Sequence, residues 1–179
     1  VLDKLNEIEY GDGRSVDALY NTRQVVSRFY EQFETLRTDL VTEVAGIPDD
    51  RGDAKQRYVQ VQLDRLIFLY FIQKKNLLNF NTDYLLDKHE AYVQDPGNDA
   101  DVYEGFYSPL FFDVLAEDKQ AEGFGTVSYL NGGLFSTSPV EESFPDAKLG
   151  ATPDETNALF HEILECLDEW NWHVDERLD

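Results

Sequence analysis

Seven consecutive apolar residues, Leu66 to Ile72, stand in the middle of a chain that is otherwise strongly acidic and polar. Such a run cannot face water throughout, so the other segments are expected to pack around it. It belongs to a longer stretch, Gln56 to Leu78, QRYVQVQLDRLIFLYFIQKKNLL. Two secondary structures compete for this stretch. Val59, Val61 and Leu63 alternate with polar residues and aromatic side chains follow, which suits a buried strand. The stretch is long, however, contains no Gly or Pro, and carries charges at both ends, which suits a helix. At helical spacing Tyr58, Val59, Leu63, Leu66, Ile67 and Tyr70 share one face, and Gln60 and Asp64 lie one turn apart on another. The pattern predicts a helix buried on most sides near its C-terminal half.

Further helices are predicted on both sides. Val25, Val26, Phe29, Tyr30, Phe33, Leu36, Leu40, Val41 and Val44 recur at steps of three and four, with Asn21 or Thr22 as cap and Gly46 and Pro48 as stop. Thr82 can cap a short helix carrying Tyr84, Leu85, Leu86 and Ala91. Tyr103, Phe106, Tyr107, Leu110, Phe111, Val114 and Leu115 mark another, which Pro109 should kink or split. Thr152-Pro153-Asp154-Glu155 reads as a capping box opening a helix with Leu159, Phe160, Ile163, Leu164 and Leu167 on its buried face. Only Val127 to Phe135 departs from this pattern. Val127 and Tyr129 suit a short strand, Asn131-Gly132-Gly133 a tight turn, and Ser138-Pro139 a cap with a first-turn proline. The expected architecture is mainly α, an irregular multi-helix bundle around a buried central helix with one short strand and turn near 127–135. Residues 1–21 are expected to form an N-terminal connecting segment, 22–174 the helical domain, and 175–179 the start of a linker.

The charge narrows the function classes. The chain of 179 residues has 36 acids against 15 bases, a formal net charge of −21, and the acids are scattered through every segment. Dispersed acids suit a solvated surface in a high-salt cytoplasm; the alternative is a free-standing acidic interaction protein that mimics DNA phosphates. The lone Cys166 excludes an intrachain disulfide, and no signal or membrane-spanning segment is evident, so the cytoplasm is the expected compartment. No catalytic constellation emerges. Pro48-Asp49 with Asp53-Ala54-Lys55 has nuclease-like residue types at too tight a spacing. His161-Glu162 opens a zinc motif whose second histidine position holds Glu165. Gly123-Phe124-Gly125 and Asn131-Gly132-Gly133 do not sit between a parallel strand and a helix, as a phosphate cradle would. The cations of the central helix, Arg57, Arg65, Lys74 and Lys75, are candidate DNA-backbone contacts; Lys74 and Lys75 equally suit a helix C-terminus.

Five stretches, in order, resemble the fused, type IIG-like restriction-modification enzymes and adenine-specific DNA methyltransferases. They are Arg28 to Phe33 (RFYEQF), Arg65 to Lys75 (RLIFLYFIQKK), Tyr107 to Phe112 (YSPLFF), the turn Tyr129, Leu130, Asn131, Gly132, Gly133, Leu134 and Phe135, and Trp172 to Arg177 (WHVDER). The combination of YLNGGLF with the Gln-Lys-Lys helix is the specific part. The resemblance implies the helical connector between an upstream nuclease and a downstream methyltransferase, in a halophile. It implies DNA and the flanking domains as partners, S-adenosylmethionine as cofactor of the parent protein, and no catalytic, cofactor or metal residue within this chain.

Overall fold

The computed structural model describes residues 13–117, 123–127, 129–130 and 133–169, with side chains from residue 27 onward. Trp170, Trp172 and Val174, expected to close the globular part, lie outside the described residues, as do Asn131 and Gly132. The fold is mainly α, with one short two-stranded antiparallel sheet.

Helix α1 runs Gly13–Thr42, followed by β1, Val44–Ala45. It starts before the expected caps Asn21 and Thr22, because nothing between Arg14 and Tyr20 breaks a helix. The chain divides into two compact units, one ending at Thr35 and the other beginning at Leu36. Within the first, Phe29 stacks on Phe33 with ring centroids 5.6 Å apart. In the second, the last turns of α1 bury Leu36 and Leu40.

Helix α2, Gly52–Lys74, is the central helix. Of the expected face, Tyr58, Val59, Leu63, Leu66 and Tyr70 are buried and Ile67 is half-buried, while Leu69, not placed on that face by the spacing, is buried as well. Gln60 donates to Asp64 at 2.8 Å on the exposed side, one turn along. The apolar run is not enclosed all round, however: Phe68 is 37 % and Phe71 38 % exposed. Seven consecutive residues cover the whole circumference of a helix, and only part of that circumference meets neighbours.

Helix α3, Tyr84–Gln94, follows a loop in which Asn76, Asn79 and Phe80 hold left-handed backbone with φ of 59°, 49° and 55°. Around Pro109 the chain forms two π-helical segments, Tyr103–Tyr107 and Leu110–Leu115, joined through Ser108 and Pro109. Proline has no N–H to give, and its ring crowds the carbonyl four residues back. The helix widens, with the Ser108 N–H reaching Tyr103 O, instead of splitting. Of the expected face, Phe106, Tyr107, Leu110, Phe111, Val114 and Leu115 are buried and Tyr103 is half-buried.

Val127 forms only an isolated antiparallel bridge to Leu78. The true strand pair lies elsewhere: β1 pairs with β2, Lys148–Leu149, in the register Val44↔Leu149 and Ala45↔Lys148. Val44 therefore ends in a strand rather than in α1. Gly46 allows it, since its φ of 79° and the Asp146 carbonyl against its α-carbon leave no room for a Cβ. A short 3-10 turn, Gly133–Phe135, precedes α4, Pro139–Ser143, and α5 is Pro153–Asp168. Both expected proline-led N-termini form complete capping boxes, Ser138 with Glu141 and Thr152 with Glu155. Among the described residues no helix is long and apolar enough to cross a membrane.

Candidate functional site

The four candidate cations, three in α2 and Lys75 directly after it, occupy different environments. Arg65, in the middle of the helix, is fully buried. Its Nε donates to Leu134 O at 2.8 Å and its Nη2 to Ser136 O at 2.8 Å. The same guanidinium grips Glu141 from both nitrogens, at 2.6 Å and 2.9 Å. Its carbon lies 5.4 Å from the Phe111 ring centroid and 5.0 Å from that of Phe112. The planar fork thus satisfies a carboxylate and two carbonyls while its faces rest on aromatic rings. Phosphate contact by Arg65 does not fit this geometry, because the group has no solvent access and four of its five N–H donors are engaged within the fold.

The partner Glu141 was not among the residues singled out from the sequence. Its Oε2 accepts the Ser138 N–H at 2.8 Å as the capping-box carboxylate of α4. Its Oε1 accepts from Gln62 Nε2 at 3.1 Å. One carboxylate therefore closes a helix cap and neutralises a buried arginine. Burial pushes its pKa up, but the hydrogen bonds from Arg65 and Ser138 outweigh that and hold it below the ordinary value. The legible signal was the S-x-x-E spacing Ser138 to Glu141, already marked at its first residue by the cap. Beside this pair, burial drives the Tyr58 hydroxyl well above its ordinary pKa and raises Tyr103 to about 12. The Oε1 of buried Gln62 has no hydrogen-bond partner.

Lys74 sits at the C-terminal end of α2 and pairs with Asp83 at 3.1 Å and Asp168 at 3.2 Å. Its ammonium lies 5.0 Å from the centre of the Tyr70 ring, whose hydroxyl also bonds Asp168. Partial burial opposes the charge, yet the bonds to Asp83, Tyr70 and Asp168 prevail and raise its pKa. Lys74 is thus committed to closing the helix end and tying α2 to α5. Lys75 is half-buried beside it, and Arg57 is exposed near the other end. Eighteen residues separate Arg57 from Lys75, five turns or about 27 Å along the helix, which places them on one face. Arg57 also lines a groove of about 400 Å³ with Arg51, Gln60, Ser138 and Phe144.

The signature turn is a structural partner of α2. Leu134 supplies its carbonyl to Arg65, and Phe135 is buried with its ring 5.9 Å from Phe68 and 5.8 Å from Phe111. The Leu130 N–H donates to Leu115 O at 3.0 Å, Tyr129 is exposed, and Gly133 opens the 3-10 turn. The remaining clusters are structural in their contacts. Lys55 pairs with Asp49 at 2.6 Å. His161 lies 3.6 Å from Glu165 and packs its ring 5.6 Å from that of His89. Burial first, then the neighbouring His161, lowers His89 to about 4. Among the described residues no group of three or more His, Cys, Asp or Glu is placed to hold a metal ion. No family model, curated protein or solved structure matches the chain.

Proposed function

We propose that this chain is a non-catalytic helical connector of a DNA restriction-modification polypeptide. The parent would be a site-specific adenine methyltransferase, with or without a fused endonuclease, working in a halophile's cytoplasm. One observation supports the reading best. The two most specific stretches of the resemblance, the Gln-Lys-Lys helix and the YLNGGLF turn, meet through Arg65, whose donors cap the carbonyls of Leu134 and Ser136. Their side chains are engaged in joining α2 to the turn, and this suits a segment that braces neighbouring domains. Arg57 is the exposed cation this reading assigns to DNA phosphates, since Arg65 and Lys74 are committed within the fold. One exposed cation adds a backbone contact to a complex whose main affinity lies in other domains.

The test is transfer of labelled methyl groups from S-adenosylmethionine to DNA in high salt. The chain alone should neither methylate nor cut DNA, whereas a polypeptide extended through the downstream coding sequence should methylate adenine. In that longer protein, Arg57→Glu should weaken DNA binding and leave the melting temperature nearly unchanged. Activity in the short chain, or none in a well-folded long one, would overturn the proposal; a stop codon directly after Asp179 would favour an acidic phosphate mimic instead.

A further inference from the structure

We propose that the groove between α4 and the first turns of α2 is a binding site for a small organic anion, a single carboxylate carried on an apolar body. Such binding does not depend on the connector reading. At helical spacing Ala54, Arg57 and Val61 share one face of α2. Opposite them, Val140 of α4 and Phe144 at its C-terminal end complete a groove of about 400 Å³. That size falls within the ~300–1,000 Å³ usual for small-molecule sites. Ala54 and Val140 are buried, and Val61 and Phe144 are half-buried. The two walls are tied together, because Glu141 of α4 bonds Arg65 and Gln62 of α2. The groove is thus formed before a ligand arrives, which lowers the cost of binding.

The polar groups of the groove select the charge. The Ser138 hydroxyl is spent on Glu141 and that of Ser143 on Pro139 O. The charged donors are Arg51 and Arg57. Arg57 is exposed, and among the described residues no hydrogen bond or ion pair engages it. Arg51 lies over the Phe144 ring, 5.6 Å from its centroid, and pairs loosely with Asp53 at 3.9 Å. Two arginines against one aspartate leave the groove a surplus positive charge, in a chain whose formal charge is −21. A guanidinium fork matches a carboxylate in two parallel bonds. The apolar walls give a bare ion nothing to bury, and one surplus charge suits a monoanion better than a polyanion. At Arg57 such a ligand and a DNA phosphate would exclude each other.

The probe is phenylpropionate, followed by the backbone amide NMR shifts of the isotope-labelled chain in high salt. The shifts should saturate and centre on Ala54, Arg57, Val61 and Val140. Arg57→Gln should weaken binding roughly tenfold, about what loss of a charge-assisted pair entails, with the melting temperature unchanged. On the unaltered chain, phenylpropionamide lacks the charge and acetate lacks the ring, and each should bind more weakly by a similar factor. Shifts that never saturate, or that centre elsewhere, would overturn the proposal. So would equal binding of the amide or of acetate, or binding indifferent to Arg57→Gln. A short peptide ending in phenylalanine with a free carboxylate, if it bound more tightly than phenylpropionate, would assign the groove to a protein chain end and overturn the proposal equally.

Discussion

Arg65 and Glu141 show how a charged pair is kept inside a small domain. Removing one partner strands the other, and breaking a buried pair this way typically costs about 3–5 kcal/mol. Arg65→Met should destabilise by that order in urea melts, because it also orphans the carbonyls of Leu134 and Ser136. Adding Glu141→Gln should recover part of the loss, with a coupling of roughly 1–3 kcal/mol, since no uncompensated charge then remains. A double variant whose cost equals the sum of the two single costs would show that the groups act independently. The pair also carries an acid dependence. The folded pKa of Glu141 lies below the ordinary 4.5, so its contribution is complete above that value and is lost as pH falls through the folded pKa. In Glu141→Gln that part of the acid sensitivity should be absent.

At the scale of elements, α2 separates residues that look alike in sequence. Leu66 is fully buried, and Leu66→Ala should cost about 2–5 kcal/mol. Phe68, two residues on, keeps 37 % of its surface exposed, so Phe68→Ala should cost less, about 1–2 kcal/mol. Thermal melts of the two variants test the assignment; equal losses would mean that Phe68 is as enclosed as Leu66. The π-helical segments around Pro109 show the same dependence on surroundings. Proline forbids a regular α-helix there, but the choice between a break and a widened turn rests on what the flanking residues bury. Phe106, Tyr107, Leu110 and Phe111 all face the core, and a widened helix keeps all four there.

At the scale of the whole molecule, a formal charge of −21 opposes any compact state through self-repulsion. The Debye length falls from about 10 Å at 0.1 M salt to about 3 Å at 1 M, so molar salt screens most of it. The melting temperature followed by circular dichroism should therefore rise between millimolar and molar potassium chloride. A melting temperature constant over that range would remove the high-salt reading of the acidic surface and strengthen that of a phosphate mimic.

The sequence by itself determined the features written in local chemistry. Apolar spacing marked most of the buried faces of α2, the Tyr103–Leu115 region and α5, and the Ser138-Pro139 cap and the Thr152–Glu155 capping box marked the starts of α4 and α5. Gly46 marked the end of the first helix, though α1 itself stops at Thr42 and leaves Val44 to a strand. Two-residue strands have no period to read, so the pairing of Val44–Ala45 with Lys148–Leu149 came only from long-range packing. The same holds for the cations. Arg57, Arg65, Lys74 and Lys75 are equivalent as sequence, each a positive side chain on one helix. Only the tertiary structure separates Arg65, held between a carboxylate and two carbonyls, from exposed Arg57. The physical reason is that burial and partner choice belong to what the fold brings alongside, across 69 residues for Leu134 and 76 for Glu141.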